Sequence, residues 1–512
     1  MRKHLIIILI LLATTSFARE RSITPTPSTW SILSSLSPGD TVFLEDGVYN
    51  NFQVDIRGNG TAARPIYVKA RNPGNVFIEG VIAVRKAGNF ITVSGFHFRN
   101  GWGLTTQPTN PNREAGLVYQ FRIGTGEVAS NSRLTNSVFD SLFNPSLDEH
   151  NRDHDDWWIG LYHGSNNRID NNYFGFKRGY GVLMFVDPRL GDPNVPSNHI
   201  LENNFFGYRP LKMENGVEQL RIGDSDRSMF SVGMIVRNNV FYHNNGEIEI
   251  ISIKSADNII ENNLVYESRG QFTFRHGVRN TVRNNVFIGN GLPNRSGVRV
   301  INADQRTYNN WFQGLRGHAQ WSALVFQMGL DPTCPLNSFY QVDNALVAYN
   351  TFVDSERITI GHSTNAQLGV PYVVHRCREN QGRLFRPINS RFKNNLIFSN
   401  FLADTLVNAV PIYVVARNAV ADMDSETRDA GIVFESNLFK INNPTWMREG
   451  FSQLPTLNFV RPEGSLFYQI TAGAKNIENF GKPPKIPNLY EVGATWFACI
   501  RTKYFSRYTS FD

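Results

Sequence analysis

The sequence predicts an all-β fold, a single-stranded, right-handed parallel β-helix with an N-terminal capping helix and loop insertions. Three observations point there. A short unit of two polar residues, most often Asn-Asn, followed by an apolar or aromatic pair recurs along the chain, as in Asn171-Asn172-Tyr173-Phe174 and Asn203-Asn204-Phe205-Phe206. Its tightest steps are 22 to 25 residues, one turn of a parallel β-helix, and longer steps are turns carrying inserted loops. No long stretch has helical periodicity, and 41% hydrophobic residues with only 3 Cys supply a large core without a disulfide framework.

Taken in order, the chain opens with Arg2 and Lys3, an apolar run from Leu5 to Leu12 and a small-x-small site at Ser16-Phe17-Ala18. That pattern is a secretory signal peptide over residues 1–18, with an apolar run too short to span a bilayer. An exported protein, periplasmic or secreted, is expected, with no stable membrane anchor. Thr29–Leu36 places Trp30, Leu33 and Leu36 on one face, as a capping helix would. Pro38-Gly39-Asp40 and Asp46-Gly47 are turns around Thr41–Leu44, and strand-like runs follow at Pro65–Ala70, Val76–Glu79 and Phe90–Phe98.

The repeats then run through Asn238-Asn239-Val240-Phe241, Asn262-Asn263-Leu264-Val265, Asn284-Asn285-Val286-Phe287 and Asn309-Asn310-Trp311-Phe312. Looser copies are Tyr349-Asn350-Thr351-Phe352, Asn394-Asn395-Leu396-Ile397 and Ser436-Asn437-Leu438-Phe439. Asn tolerates the left-handed backbone of a sharp corner, and its amide can bond to the Asn one turn away. The apolar pair is expected to point into the shared core. Residues 19–440 are read as the β-helix, and the Pro-rich, aromatic tail 441–512 as packing on the last turns.

The composition excludes a membrane-embedded chain, at mean hydropathy −0.30, and a disordered one, with 37 Phe, 18 Tyr and 8 Trp. The formal net charge is +7, and losing Arg2 and Lys3 with the leader still leaves a basic protein. An exported basic protein suits an acidic partner, which charge alone leaves open among a polyanionic polysaccharide, nucleic acid and anionic lipid. Cys334, Cys377 and Cys499 permit one bridge with one thiol left over, and show no metal-binding spacing.

One stretch departs from what a plain solenoid needs. In Asn245-Gly246-Glu247-Ile248-Glu249-Ile250-Ile251-Ser252-Ile253-Lys254-Ser255, alternation puts Glu247 and Glu249 on one outward face. The adjacent Ile250 and Ile251 break the alternation, which predicts a bend or bulge, after which Ser252 and Lys254 face outward. Two neighbouring carboxylates repel unless a hard cation sits between them. Arg275 lies 21 residues after Lys254 and Arg299 lies 24 after Arg275, single-turn steps that predict a stack, with Arg221 about one turn before Glu249. The result is a basic strip with an acidic pair set in it, able to hold a linear polyanion.

The segments Asn215–Gly223, Glu247–Ser255 and Phe274-Arg275-His276-Gly277 resemble polysaccharide lyase family six, the alginate lyase and chondroitinase B family. Ser296–Val300 and Leu336–Val342 share the likeness. The resemblance implies that Asn215, Glu247 and Glu249 hold a Ca²⁺. It makes Lys254 the Brønsted base and Arg275 the acid or charge stabiliser, with Arg221, His276 and Arg299 lining the subsites. An arginine is a poor proton donor, so Arg275 is expected mainly to stabilise charge, with water or His276 delivering the proton. The implied reaction is β-elimination on a uronate polysaccharide, alginate first and dermatan sulfate second. The rivals are a pectinase-like hydrolase, which needs clustered Asp residues, and a non-catalytic β-helix binding or adhesion protein. The His150–Asp156 run is read as a loop beside the substrate groove.

Overall fold

The computed structural model describes residues 18–106, 114–189, 191–212, 215–362, 377, 385–399, 412–414, 431–441, 449–472, 482–494 and 496–511. The leader thus lies outside the described residues except for Ala18. Three long sheets wrap the body. One turn shows the path: Ile235–Arg237 in the first sheet, Val240–Tyr242 in the second, Glu249–Lys254 in the third, then Ile259–Glu261 back in the first. Each strand pairs in parallel with its counterpart in the adjacent turn, as a parallel β-helix requires. The first sheet counts fourteen strands from Glu20–Ile23 to Ile432–Glu435. The other two are joined where Val76–Asn89 bends through both.

The Asn pairs divide their labour. The first member sits at the corner with positive φ: 55° at Asn203, Asn238, Asn262, Asn284 and Asn309, with Tyr349 and Ser436 in the same region at 56° and 50°. The second member turns inward and is buried. Asn263 Oδ1 accepts from the backbone N and Nδ2 of Asn239 at 2.9 and 3.0 Å. Its own Nδ2 donates to Val236 O, Glu261 O and Asn285 Oδ1. The same pattern links Asn172, Asn204, Asn239, Asn263, Asn285, Asn310, Asn350, Asn395 and Asn437 in one ladder. Asn263→Ala strands the amides above and below it in a dry interior. It should cost roughly 2–4 kcal/mol, read as a shift in denaturant midpoint without loss of cooperativity.

The apolar pair does not point wholly inward. Side chains alternate along a strand, so Phe206, Phe241, Val265, Phe287 and Phe312 enter the core while Phe205, Val240, Leu264, Val286 and Trp311 face out. The tail covers that outward stripe. Leu457, Phe459, Leu466, Phe467, Ile500 and Phe505 pack on it. The tail does not stop at the last turns. It runs back along the second sheet, from Gln313 Nε2 on Leu466 O to Gly493 N on Asn203 O and Trp496 Nε1 on Asn136 O. The length of the exposed apolar stripe explains the length of its cover.

The N-terminal cap is a 3-10 helix over Pro27–Ser34 that buries Trp30 and Leu33. Cys334 pairs with Cys377, and Cys499 is free. Among the described residues no helix is long and apolar enough to cross a membrane.

A buried histidine makes the fold acid-sensitive. His199 Nδ1 accepts from Asn167 N and its Nε2–H donates to Tyr162 O, with no exposure to solvent. Burial pushes its pKa down to about 4. Protonation therefore favours the unfolded chain, and the stability held above pH 6.5 is lost as pH falls toward 4. That loss should reach about 3 kcal/mol. His199→Asn, which keeps an acceptor at the corner, should flatten this part of the stability profile.

Candidate active site

The outward face of the third sheet carries the site, on Leu220–Gly223, Glu249–Lys254, Gln271–His276 and Val298–Val300. Alternation sends Ile222, Ile251, Ile253, Phe272, Phe274 and Val298 into the core and leaves the polar residues on the other face. Two irregularities shape that face. Register slips between Glu249 and Ile251, where Ile250 is the extra residue, as the adjacent isoleucines predicted. It slips again beyond Ile253, so that Lys254 pairs with His276 and Arg275 is bulged out.

The second bulge corrects the expected stack. Arg221 is in register with Ser252, which pairs with Thr273, which pairs with Arg299. Arg221 and Arg299 therefore share one column, while Lys254 and Arg275 do not lie in register. Spacing alone could not reveal this, because a bulge adds a residue without adding rise.

Three carboxylates crowd the site, one of them, Glu218, given no role by the sequence reading. Glu218 is fully buried and holds Arg221 in a bidentate pair at 2.9–3.0 Å, with Lys254 Nζ at 4.0 Å. Burial alone would raise it, but Arg221 and Lys254 overcome burial and lower its pKa. The signal available was its position three residues before Arg221, on the quoted segment. Glu247 Oε1 accepts from the backbone N–H groups of Gly216 and Val217 at 3.0 and 2.9 Å. Burial, Glu218 and Glu249 raise Glu247 well above the carboxylate range. Glu249 accepts from Arg299 Nη2 at 2.6 Å and from Ser252 Oγ, and lies 3.5 Å from Arg275 Nε. Asn215 is exposed at the turn that meets Glu247 through Gly216 and Val217.

Lys254 is 8% exposed. Burial lowers its pKa, and Arg221 and Arg275 push the same way against Glu218 and Glu249. His276 is buried behind Arg275: its Nδ1–H donates to Ser338 O at 3.0 Å and its Nε2 accepts from Arg275 Nη1 at 3.0 Å. Burial and the charges of Arg275, Lys254 and Arg299 hold it neutral, well below its usual pKa. Both of its ring nitrogens are thus committed to protein partners, one of them Arg275. Arg299 is buried as well.

The His150–Asp156 run leads into His154–Leu161, a strand of the same third sheet two turns before Leu220–Gly223. Its Asp156 pairs with buried Lys177 at 3.7 Å and accepts from Trp158 Nε1 at 2.9 Å, which ties the loop to the body. Among the described residues no group of three or more His, Cys, Asp or Glu is arranged to hold a metal ion. A cation here would rely on the two carboxylates plus an amide. The donor chemistry fits: hard oxygens, and in Glu247 a carboxylate whose surroundings call for positive charge.

An alginate lyase of polysaccharide lyase family 6, AlyGC, matches with a TM-score of 0.77 and 33% identity over 94% of this chain. The chain spans 59% of that protein's length. A mannuronic acid specific family 6 lyase from human gut microbiota matches with a TM-score of 0.73 and 28% identity, over 94% of this chain and 98% of that one. Another family 6 alginate lyase, in complex with a trisaccharide, shares the fold at a TM-score of 0.69 and 21% identity, over 94% and 96% of the two chains. No curated protein sequence matches. Fold and likeness together define a parallel β-helix of the polysaccharide lyase class. The family model described as Chondroitinase B matches residues 27–480, and the chain belongs to that family.

Proposed function

We propose that the protein is an exported, Ca²⁺-dependent lyase that cleaves a uronate polysaccharide by β-elimination, with alginate as substrate. The observation that carries this reading is Lys254: a buried amine of lowered pKa, set between Arg221 and Arg275 beside a cluster of carboxylates. A lysine in that setting is neutral at a pH where an ordinary lysine is charged, as a base must be.

The C5 proton of a uronate is weakly acidic because its carboxylate already carries charge. Lys254 takes that proton. Arg275, held against Glu249 and His276, stabilises the charge that develops on the sugar acid. Arg221 is fixed by Glu218 in the column that also holds Arg299, and it binds a neighbouring uronate. Asn215, Glu247 and Glu249 would hold a Ca²⁺, which when bound neutralises the substrate carboxylate. His276, neutral and doubly engaged, orients Arg275, so the proton for the leaving O4 comes from water. The bond to O4 breaks as the C4–C5 double bond forms.

Support for alginate comes from the AlyGC and gut microbiota lyases, both described as acting on alginate or its mannuronate. The chondroitinase B family match favours dermatan sulfate as the second reading. The test is the ultraviolet absorbance of the new conjugated double bond on alginate, polymannuronate, polyguluronate and dermatan sulfate. Absorbance rising on a uronate polymer supports the reading. Release of saturated sugars, or no cleavage of any of the four, contradicts it.

A further inference from the structure

Arg275 is held on three sides, and the third side comes from a distant loop. Besides Glu249 Oε1 at 3.5 Å and His276 Nε2 at 3.0 Å, its guanidinium carbon lies 3.6 Å from the centre of the Phe339 ring. The same ring lies 5.7 Å from the Arg299 guanidinium and 5.9 Å from the His276 ring. The residue before it, Ser338, supplies the carbonyl that fixes the His276 tautomer. One dipeptide therefore touches three of the cationic or basic groups of the site.

The loop that carries this dipeptide has its own framework. Leu330, Cys334 and Tyr340 form a small apolar cluster. Tyr340 OH donates to Cys334 O at 2.6 Å, Thr333 N donates to Asp331 Oδ1 at 2.8 Å, and Leu330 bridges to Tyr340. The Cys334–Cys377 disulfide ties it to a later part of the chain, and Leu336 O accepts from Ser228 Oγ at 3.4 Å. Phe339 itself is 6% exposed. A ring held this firmly is a fixed surface against which a planar guanidinium lies flat.

We infer that Phe339 is a positioning residue for the reaction: its ring face sets the plane of the Arg275 guanidinium, and with Ser338 and His276 it aims that group at the developing charge. This rests on the reading of Arg275 given above. The hydrophobic volume of Phe339 is not the point; the flat face is. A leucine keeps apolar bulk and loses the face, whereas a tyrosine keeps the face.

Kinetics of Phe339→Leu, Phe339→Tyr, Arg275→Lys, Arg275→Ala and the double variant Phe339→Leu/Arg275→Lys, with melting temperatures, test this. Phe339→Leu should lose roughly 10- to 100-fold in kcat while KM moves less than about threefold, since a misaimed group costs turnover rather than uniform binding. Phe339→Tyr should stay within about threefold of the parent, and Phe339→Leu should add little on top of Arg275→Lys because both disturb one interaction. A crystal structure of Phe339→Leu should show the Arg275 side chain displaced. If the leucine variant keeps parental kcat, or its effect multiplies fully with Arg275→Lys, or the guanidinium stays in place, the inference is overturned while the role of Arg275 stands. If Arg275→Ala itself keeps full turnover, the functional reading fails first and this inference with it.

Discussion

Replacing Lys254 with glutamine lowers kcat on the polymer by about 10³-fold or more, the upper part of the range for a lost general base. KM stays within a few-fold, because Lys254 acts on the proton and Arg221 and Arg299 hold position elsewhere on the sheet. Lys254→Arg does not rescue the rate. Its guanidinium keeps its proton at any working pH, and the position lies beside Glu218, 4.0 Å from Lys254 Nζ in the parent, where charge is favoured. The pH profile of the parent enzyme carries the same logic. Because burial and the neighbouring cations lower the pKa of Lys254, the fraction of free amine rises through a midpoint below the ordinary lysine value of 10.5. The rate should climb with pH through that midpoint, and the climb should vanish in Lys254→Gln. Initial rates across pH, paired with melting curves, check it.

The two glutamates of the proposed ion site separate by stability. Glu249 is the hub of the site: it neutralises Arg299, which is 4% exposed, and meets Arg275 and Ser252. Glu249→Gln leaves a buried guanidinium without its countercharge. It should cost roughly 3–5 kcal/mol whether or not calcium is present. Glu247 differs. Its pKa is raised by burial and by Glu218 and Glu249, so a neutral amide replaces a group already disposed to be neutral. Glu247→Gln should leave the metal-free melting temperature close to the parent's. What it removes is the response to calcium: a site that is filled at 100 times Kd adds about 2.7 kcal/mol to the parent, and Glu247→Gln should gain almost none of it. Thermal melts over a calcium series read this without any substrate. Equal calcium stabilisation of parent and Glu247→Gln would contradict the assigned donors.

Some of this molecule could be read from residues alone, and the reasons are physical. The Asn pairs announced the solenoid because both of their roles, a left-handed corner and a buried amide ladder, are chemistry that few other side chains supply. The bulge at Ile250 was legible because two adjacent apolar residues cannot both obey a period of two without one being extra. The bulge at Arg275 was not, since nothing in Phe274-Arg275-His276 breaks the pattern, and a one-residue slip there takes Arg275 out of register with Lys254, while Arg299 pairs with Thr273 rather than Arg275. Alternation also should have divided each apolar pair between core and exterior. The covering tail, more than 150 residues away in sequence from the Gln313 amide it caps, is a long-range partner that local patterning does not report. Phe339 shares that difficulty, since its partners are brought to it by a returning loop, whereas Glu218 had a local partner in Arg221 three residues on and gains only Lys254 from the next turn.

The most direct measurement is the product of one digestion, comparing parent protein and Lys254→Gln on alginate with calcium present. The account predicts 4,5-unsaturated uronate at the new non-reducing ends from the parent and almost none from the variant, which retains the parent's fold by circular dichroism. Equal yields of unsaturated ends from both proteins would contradict it.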